Sequence, residues 1–167
     1  MIVIKSILRA VSVMTLLTAP IHAQGITDAE RIAREYMVHY TALDLDAMQS
    51  YWADDIEFFD VTAMDPETGP DGLSLHSSEE ARAMLNEFVE TNQPIELGFI
   101  WDTVFESNGR VIFMGEVNAL YPTPTEGQVF RWRAEQVTVI TVRDGKIIRQ
   151  RDFANYANPD RSFVRAQ

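Results

Sequence analysis

IELGFIWDTVFE (Ile95–Glu106), RVIFMGEVNALY (Arg110–Tyr121), QVFRWRAEQVTVITV (Gln128–Val142) and KIIRQRDFANY (Lys146–Tyr156) fill most of the second half of the chain. All four runs are rich in β-branched and aromatic residues. The gaps between them, SNG, PTPTEG and RDG, are turn sequences. Four strand-length runs joined by short turns read as an antiparallel meander.

The chain before this meander is different. SEEARAMLNEFVET (Ser78–Thr91) places Ala81, Met84, Leu85, Phe88 and Val89 at helical spacing, and Ser77 with Glu80 forms a capping box before it. TAMDPETGPDGLSL (Thr62–Leu75) is dense in Pro, Gly and Asp and reads as a loop placed to cover a pocket mouth. It lacks the acid spacing of a calcium loop. IEFFDV (Ile56–Val61) reads as a first strand, and DLDAMQSYWADD (Asp44–Asp55) as a short helix capped by Asp46. TDAERIAREYMVHYTAL (Thr27–Leu43) reads as the opening helix. Thr27 and Glu30 form its capping box, and Ala29, Ile32, Ala33, Tyr36, Tyr40 and Leu43 lie on one face. Helices, a strand, a helix and then a meander predict an α+β domain with helices packed on one face of a curved sheet. The closing NPDRSFVRAQ (Asn158–Gln167) reads as a mobile tail.

The first 23 residues have the pattern of an export signal: Lys5 and Arg9, then the apolar AVSVMTLLTAP, then Ala23 before Gln24. The apolar run is too short for a standard membrane span, and an uncleaved anchor is the rival reading. The domain proper is then 24–157, with 158–167 as its tail. Removing 23 of the 167 residues leaves 144, enough for one core. Two of the 14 basic residues lie in the leader, so 12 remain against 25 acids, a net charge of −13. That charge argues against nucleic acid or an anionic membrane as a partner. With no cysteine and only His39 and His76 beyond the leader, no disulfide, metal site or cofactor is expected. A periplasmic or secreted location follows from the leader.

The segment YMVHYTALDLDAMQSYWADDIEFFD (Tyr36–Asp60), the helix after Ser77 and VRDGKIIRQRDF (Val142–Phe153) resemble the nuclear transport factor 2-like superfamily, in particular its SnoaL-like branch. With the meander, the resemblance covers nearly all of the chain after the leader. The superfamily includes steroid delta-isomerases, limonene-epoxide hydrolases and polyketide cyclases. It implies a cone, in which a curved sheet wraps around the long helix and leaves a pocket at one end. Many members pair as homodimers through the sheet's outer face, so a homodimer is expected.

The resemblance also implies site residues. Tyr36 matches the phenol of the isomerase oxyanion hole, and Asp60 matches the isomerase base; the alternatives are a core tyrosine and a loop-capping acid. Thr138 stands where the isomerases carry a second, protonated acid. Glu116 and Asn118 stand where the epoxide hydrolases carry an Arg-x-Asp pair. Asp152 matches the remaining aspartate of those hydrolases and the acid of the cyclases. The expected site is Asp152, Asp60 and Tyr36 as catalytic groups, with Glu116, Asn118, Trp132, Thr138, Met114 and His39 on the substrate. Asp152 is expected to face a cavity within reach of Tyr36 or Asn118. Alternation groups Met114, Glu116 and Asn118 on one face of their strand and Phe113, Val117 and Ala119 on the other. Apolar patterning would turn Phe113 and Val117 inward; the resemblance turns Met114, Glu116 and Asn118 inward. Ile148, Gln150 and Asp152 form a second inward set, and Phe130, Trp132, Ala134, Gln136 and Thr138 a third. Arg131 and Arg133 face out as a charge ladder.

Three functions fit these residues. One is cofactor-independent acid–base catalysis (isomerase, cyclase or hydrolase) on a small hydrophobic molecule. The others are a carrier for such a molecule and an interaction module whose pocket is vestigial.

Overall fold

The computed structural model describes residues 25–60 and 72–166. The expected leader, 1–23, and the Pro- and Gly-rich stretch 61–71 lie outside the described residues. The elements in order are α1 (Asp28–Thr41), α2 (Leu45–Tyr51), β1 (Trp52–Asp60), β2 (Leu73–Leu75), α3 (Ser78–Asn92), β3 (Glu96–Ser107), β4 (Arg110–Pro122), β5 (Gln128–Arg143), β6 (Lys146–Ala154) and β7 (Asp160–Arg165).

Local chemistry sets the helix starts. Thr27 Oγ1 accepts the Glu30 amide at 3.1 Å, and Ser77 Oγ accepts the Glu80 amide at 3.1 Å. The cap of α2 is Asp44 rather than Asp46. Asp44 accepts the Ala47 amide at 3.1 Å, and Asp46 is already inside the first turn, where its carboxylate meets Arg82 at 2.6 Å. Gln93 ends α3 in the left-handed region, with φ 46.

The seven strands form one curved, open sheet in the order β2-β1-β6-β5-β4-β3, with β7 on β5. β1 and β6 run parallel and every other pair is antiparallel. This is the mixed α+β architecture that the element order predicts. Helix α1 lies against β3, β4 and β5, and α3 against β1. The main core joins Tyr36, Met37, Met48, Trp52, Ile56, Phe58, Phe113, Ile140 and Ile147 between helices and sheet. A second cluster, Leu97, Val117, Ala119 and Ala134, lies along β3–β5.

Bulges bend the sheet and decide which side chains point inward. The β5–β6 register slips between Thr141 and Val142, which makes Ile148 the extra residue. Ile147, not Ile148, therefore joins Gln150 and Asp152 on the buried face, with Ile147 and Gln150 both 0% exposed. The β3–β4 register slips between Trp101 and Thr103, opposite Gly115. The backbones approach so closely there that a Cβ on Gly115 would lie 1.9 Å from the Ile100 carbonyl oxygen.

Three expectations are corrected. The inward face of β4 is Phe113, Gly115, Val117 and Ala119, which pair across with Thr138, Gln136, Ala134 and Trp132. Met114, Glu116 and Asn118 lie on the outer face, as the apolar alternation alone required. The tail is not free: Asp160–Arg165 pairs with Gln128–Arg133, Phe163 packs on Phe130 and Asp160 holds Arg131 at 2.8 Å. LSL (Leu73–Leu75), read as loop, pairs with the end of β1.

Candidate functional site

Between α1, α3 and the concave face of the sheet lies a cavity of about 530 Å³. That is within the usual size range for small-molecule sites. Its walls are largely aromatic and aliphatic: Tyr40 and Phe99 (ring centroids 5.2 Å apart), Trp132 and Tyr156 (5.3 Å), Phe58, Leu97, Val117 and Ala119. Glu87, Thr91 and Asn92 of α3, all exposed, border it on the outer side.

Asp152 sits at the polar end. Its alternation on β6 turns it inward, where it is 4% exposed. Thr138, its cross-strand partner, donates to Oδ1 at 2.5 Å, and Gln136 Nε2 reaches the same oxygen at 3.3 Å. Gln150, two residues earlier on the same strand, donates Nε2 to Oδ2 at 2.6 Å. Tyr36 in turn donates its hydroxyl to Gln150 Oε1 at 2.6 Å. A line of hydrogen bonds thus runs from the α1 phenol through an amide to the carboxylate, every member buried.

Burial pushes the Asp152 carboxyl up to about 7; Thr138 and Gln150 pull it down, Asp60 raises it and Gln136 pulls it down. Loss of hydration therefore outweighs three donors. Burial also holds the Tyr36 phenol well above its ordinary range, so it stays a neutral donor. Tyr40 and Tyr156 are raised by burial first and then by acidic neighbours, Asp152 before Asp60 for Tyr40 and Asp60 before Asp152 for Tyr156.

Asp60 ends β1 beside Asp152 in the parallel register, borders the cavity and accepts the Tyr156 hydroxyl at 3.2 Å. Trp132 and Asp152 also border it, and Thr138 stands behind Asp152. The remaining expected residues are elsewhere. Glu116 is on the outer face in an ion pair with Arg133, so it shares no proton with Asp152. Asn118 is beside it across from Arg133, and Met114 is 43% exposed on the same face. His39 lies against the Tyr51 ring at 5.7 Å and 3.9 Å from Asp44, while the next residue, Tyr40, points into the cavity. Trp101 stacks on Phe99 and packs on Phe113 in the core.

Sequence reasoning placed Gln136 and Gln150 on inward faces but gave them no role. Their signal was two polar residues at consecutive inward positions on neighbouring strands, Gln136–Thr138 and Gln150–Asp152. Tyr40, Tyr121 and Tyr156 were also missed as cavity walls. Among the described residues, no three His, Cys, Asp or Glu side chains gather to hold a metal ion. No described helix is long and apolar enough to cross a membrane.

A curved sheet wrapped on a long helix around a ligand-sized cavity defines the nuclear transport factor 2-like class. The SnoaL-like domain family matches residues 33–150, and the chain belongs to it. Similar structures include a Shewanella denitrificans OS-217 protein assigned as a SnoaL-like polyketide cyclase, at 19% identity and TM-score 0.65, covering 77% of this chain and 91% of that one. An LEH-like epoxide hydrolase from M. tuberculosis is similar at 14% identity and TM-score 0.58, covering 78% and 84%. TerC, solved with polyporic acid, is similar at 16% identity and TM-score 0.60, covering 78% and 94%. At these identities the likeness shows the shared fold. No curated protein matches the chain at a significant level.

Proposed function

We propose that the protein performs acid–base chemistry on a small hydrophobic molecule held in this cavity, with Asp152 as the group that takes and returns the proton. The observation that carries the reading is a buried carboxyl at the wall of a roomy aromatic cavity, pushed up to about 7. A carboxyl so placed is populated in both protonation states near neutral pH, which is what a proton shuttle requires. Thr138 and Gln136 occupy Oδ1, whereas Gln150 supplies the one named donor to Oδ2. Oδ2 therefore has the free lone pair on which the shuttled proton would sit. Gln150 is held in orientation by Tyr36, so the phenol acts on the acid through the amide and not on the substrate directly. Asp60, steadied by Tyr156, is a second carboxylate facing the same space.

The test is solvent-deuterium incorporation into small aromatic ketones that carry an acidic C–H, followed by NMR. Exchange is expected with the native protein and lost by about 100-fold or more with Asp152→Asn. Ligand binding without exchange, or exchange equal in the two proteins, would overturn the catalytic reading. Binding without exchange would favour a carrier, the second reading, which the apolar walls also support.

The proposal extends to export and pairing. The mature chain would begin at Gln24, and N-terminal sequencing of protein recovered from the periplasm checks that. Two copies would meet through the outer sheet face, where Ile100, Phe105, Met114 and Phe153 are exposed; a monomer in sedimentation velocity would remove that part.

A further inference from the structure

One edge of β5 is shared by two strands. β6 takes Gln136–Arg143 and β7 takes Gln128–Arg133, and both run the same way along it. The chain between them, Asn155–Pro159, has only Ala134 and Glu135 to span, so it is too long to stay on the edge and lifts off. The Asn155 amide donates to the Glu135 carbonyl at 2.9 Å, which ties the near end of this crossing to β5. Tyr156 follows. Its ring lies against Trp132 at 5.3 Å on the cavity wall, and its hydroxyl reaches Asp60 at 3.2 Å. If the crossing moves, that part of the wall moves with it.

The far end of the crossing is held through β7, and the β7 seam is weak. No β7 residue is buried, and Phe163 stays 66% exposed where it packs on Phe130. The Asp160–Arg131 pair is open to solvent and adds little. Arg131 and Ser162 face each other across the seam, and Arg131 Nε and Ser162 Oγ are both buried with no hydrogen-bond partner. Docking of β7 takes water from both atoms and replaces it with nothing, and detachment restores it. Trp52 Nε1, in the main core, is the only other such atom among the described residues. The unpaired polar atoms thus gather where the strand is least buried, and the seam is poised to open.

We propose that β7 is a strap: it detaches from β5 together with the crossing, hinged at Asn155, and carries Tyr156 away from Trp132, and a ligand lying against these two rings holds it shut. Open and closed are two states of one unit. A ligand that touches Tyr156 only in the closed state shifts the balance toward closure, and closure raises its affinity by the same factor. The ligand's part rests on the cavity being a small-molecule site; the opening itself does not.

The test is amide hydrogen exchange of the full chain, followed by NMR. The β7 amides are expected to exchange about 100-fold or more faster than those of β4. Ser162→Ala removes one of the unpaired atoms and is expected to slow β7 exchange about 5-fold; Phe163→Ala removes packing and is expected to speed it about as much. Fluorotyrosine at position 156 shows whether its ring follows: the fluorine line is expected to move one way in Phe163→Ala and the other way in Ser162→Ala. β7 exchange as slow as that of β4, or a fluorine line indifferent to both substitutions, would overturn the strap. The ligand's part is read with 2-acetylnaphthalene, its Kd taken from calorimetry. At ten times that Kd, β7 exchange is expected to slow about 10-fold; bound ketone with unchanged β7 exchange would overturn the coupling. If the ketone does not bind, the small-molecule reading falls and the ligand's part falls with it, while exchange in the free protein still decides the opening.

Discussion

Replacing Asp152 by Asn removes a charge and little else, so its effect on stability reports the cost of keeping that charge buried. In the unfolded chain the carboxyl has its ordinary value of 3.8; folded, it is at about 7. The folded state thus holds the proton more tightly. Its contribution to stability is fully present below pH 3.8, declines as pH rises, and is lost by the time pH has passed through about 7. A separation of about three units at about 1.4 kcal/mol each gives roughly 4 kcal/mol, of which roughly 2 falls between about pH 5.5 and pH 8.

The amide fits with one rearrangement, which takes the Tyr36 hydroxyl proton off its acceptor. Its oxygen takes the Thr138 and Gln136 donors. Its nitrogen would face Gln150 Nε2, but Gln150 is free to turn over, offer Oε1 to it and donate Nε2 to the Tyr36 oxygen. Asp152→Asn is therefore expected to fold, to unfold above the native protein at about pH 8, and to lose about 6 °C, roughly half of that margin, toward pH 5.5. The assay is thermal unfolding by circular dichroism of both proteins across that range. Taking the difference between them cancels every other titrating group to first order. Parallel curves would show that Asp152 keeps an ordinary carboxyl, and the acid–base proposal would lose its basis. Failure of the variant to fold would make Asp152 a structural acid.

Three further outcomes test the surroundings of this group. Thr138→Val removes a donor that favours the anion, so the Asp152 titration, followed by carboxyl carbon-13 NMR, is expected to move above its native position; a downward shift would mean that Thr138 does not donate to it. Tyr36→Phe leaves Gln150 Oε1 buried without its donor, and a loss of about 1–3 kcal/mol in urea unfolding is expected; a neutral result would break the proposed line of hydrogen bonds at its first link. Glu116→Gln touches only a half-buried pair on the outer face, and melting temperature and ligand binding are expected near native levels; a loss of binding would return Glu116 to the site.

Local signals in the sequence were enough for most of the fold. Thr27 with Glu30, Ser77 with Glu80 and the Asn-Gly and Asp-Gly turns act over a few residues, and each falls where it was read. The misreadings arise where distant chain decides. β7 is short and charged and becomes a strand only because β5 offers it an open edge between Gln128 and Arg133. The face of β4 was legible from apolar alternation, and carrying residues over from relatives inverted it. The bulge at Ile148 exchanges that residue's orientation with its neighbour's, and no local pattern announces it. Within the site, Asp152 was visible as an acid in an apolar strand. Its setting was not, because Tyr36, Gln150 and Thr138 come from three elements and meet only when α1 packs on the sheet.

The single-residue rhythm of β5 has a consequence for how such a protein changes over generations. Trp132, Ala134, Gln136 and Thr138 turn to the concave face, Trp132 and Gln136 on the cavity wall itself, while Arg131, Arg133, Glu135 and Val137 look away from it. One stretch of chain thus carries two texts, interleaved letter by letter. Substitutions at alternate positions revise what the cavity accepts while the outer surface stays constant, and the reverse holds equally. A fold built this way can exchange ligands without renegotiating its neighbours.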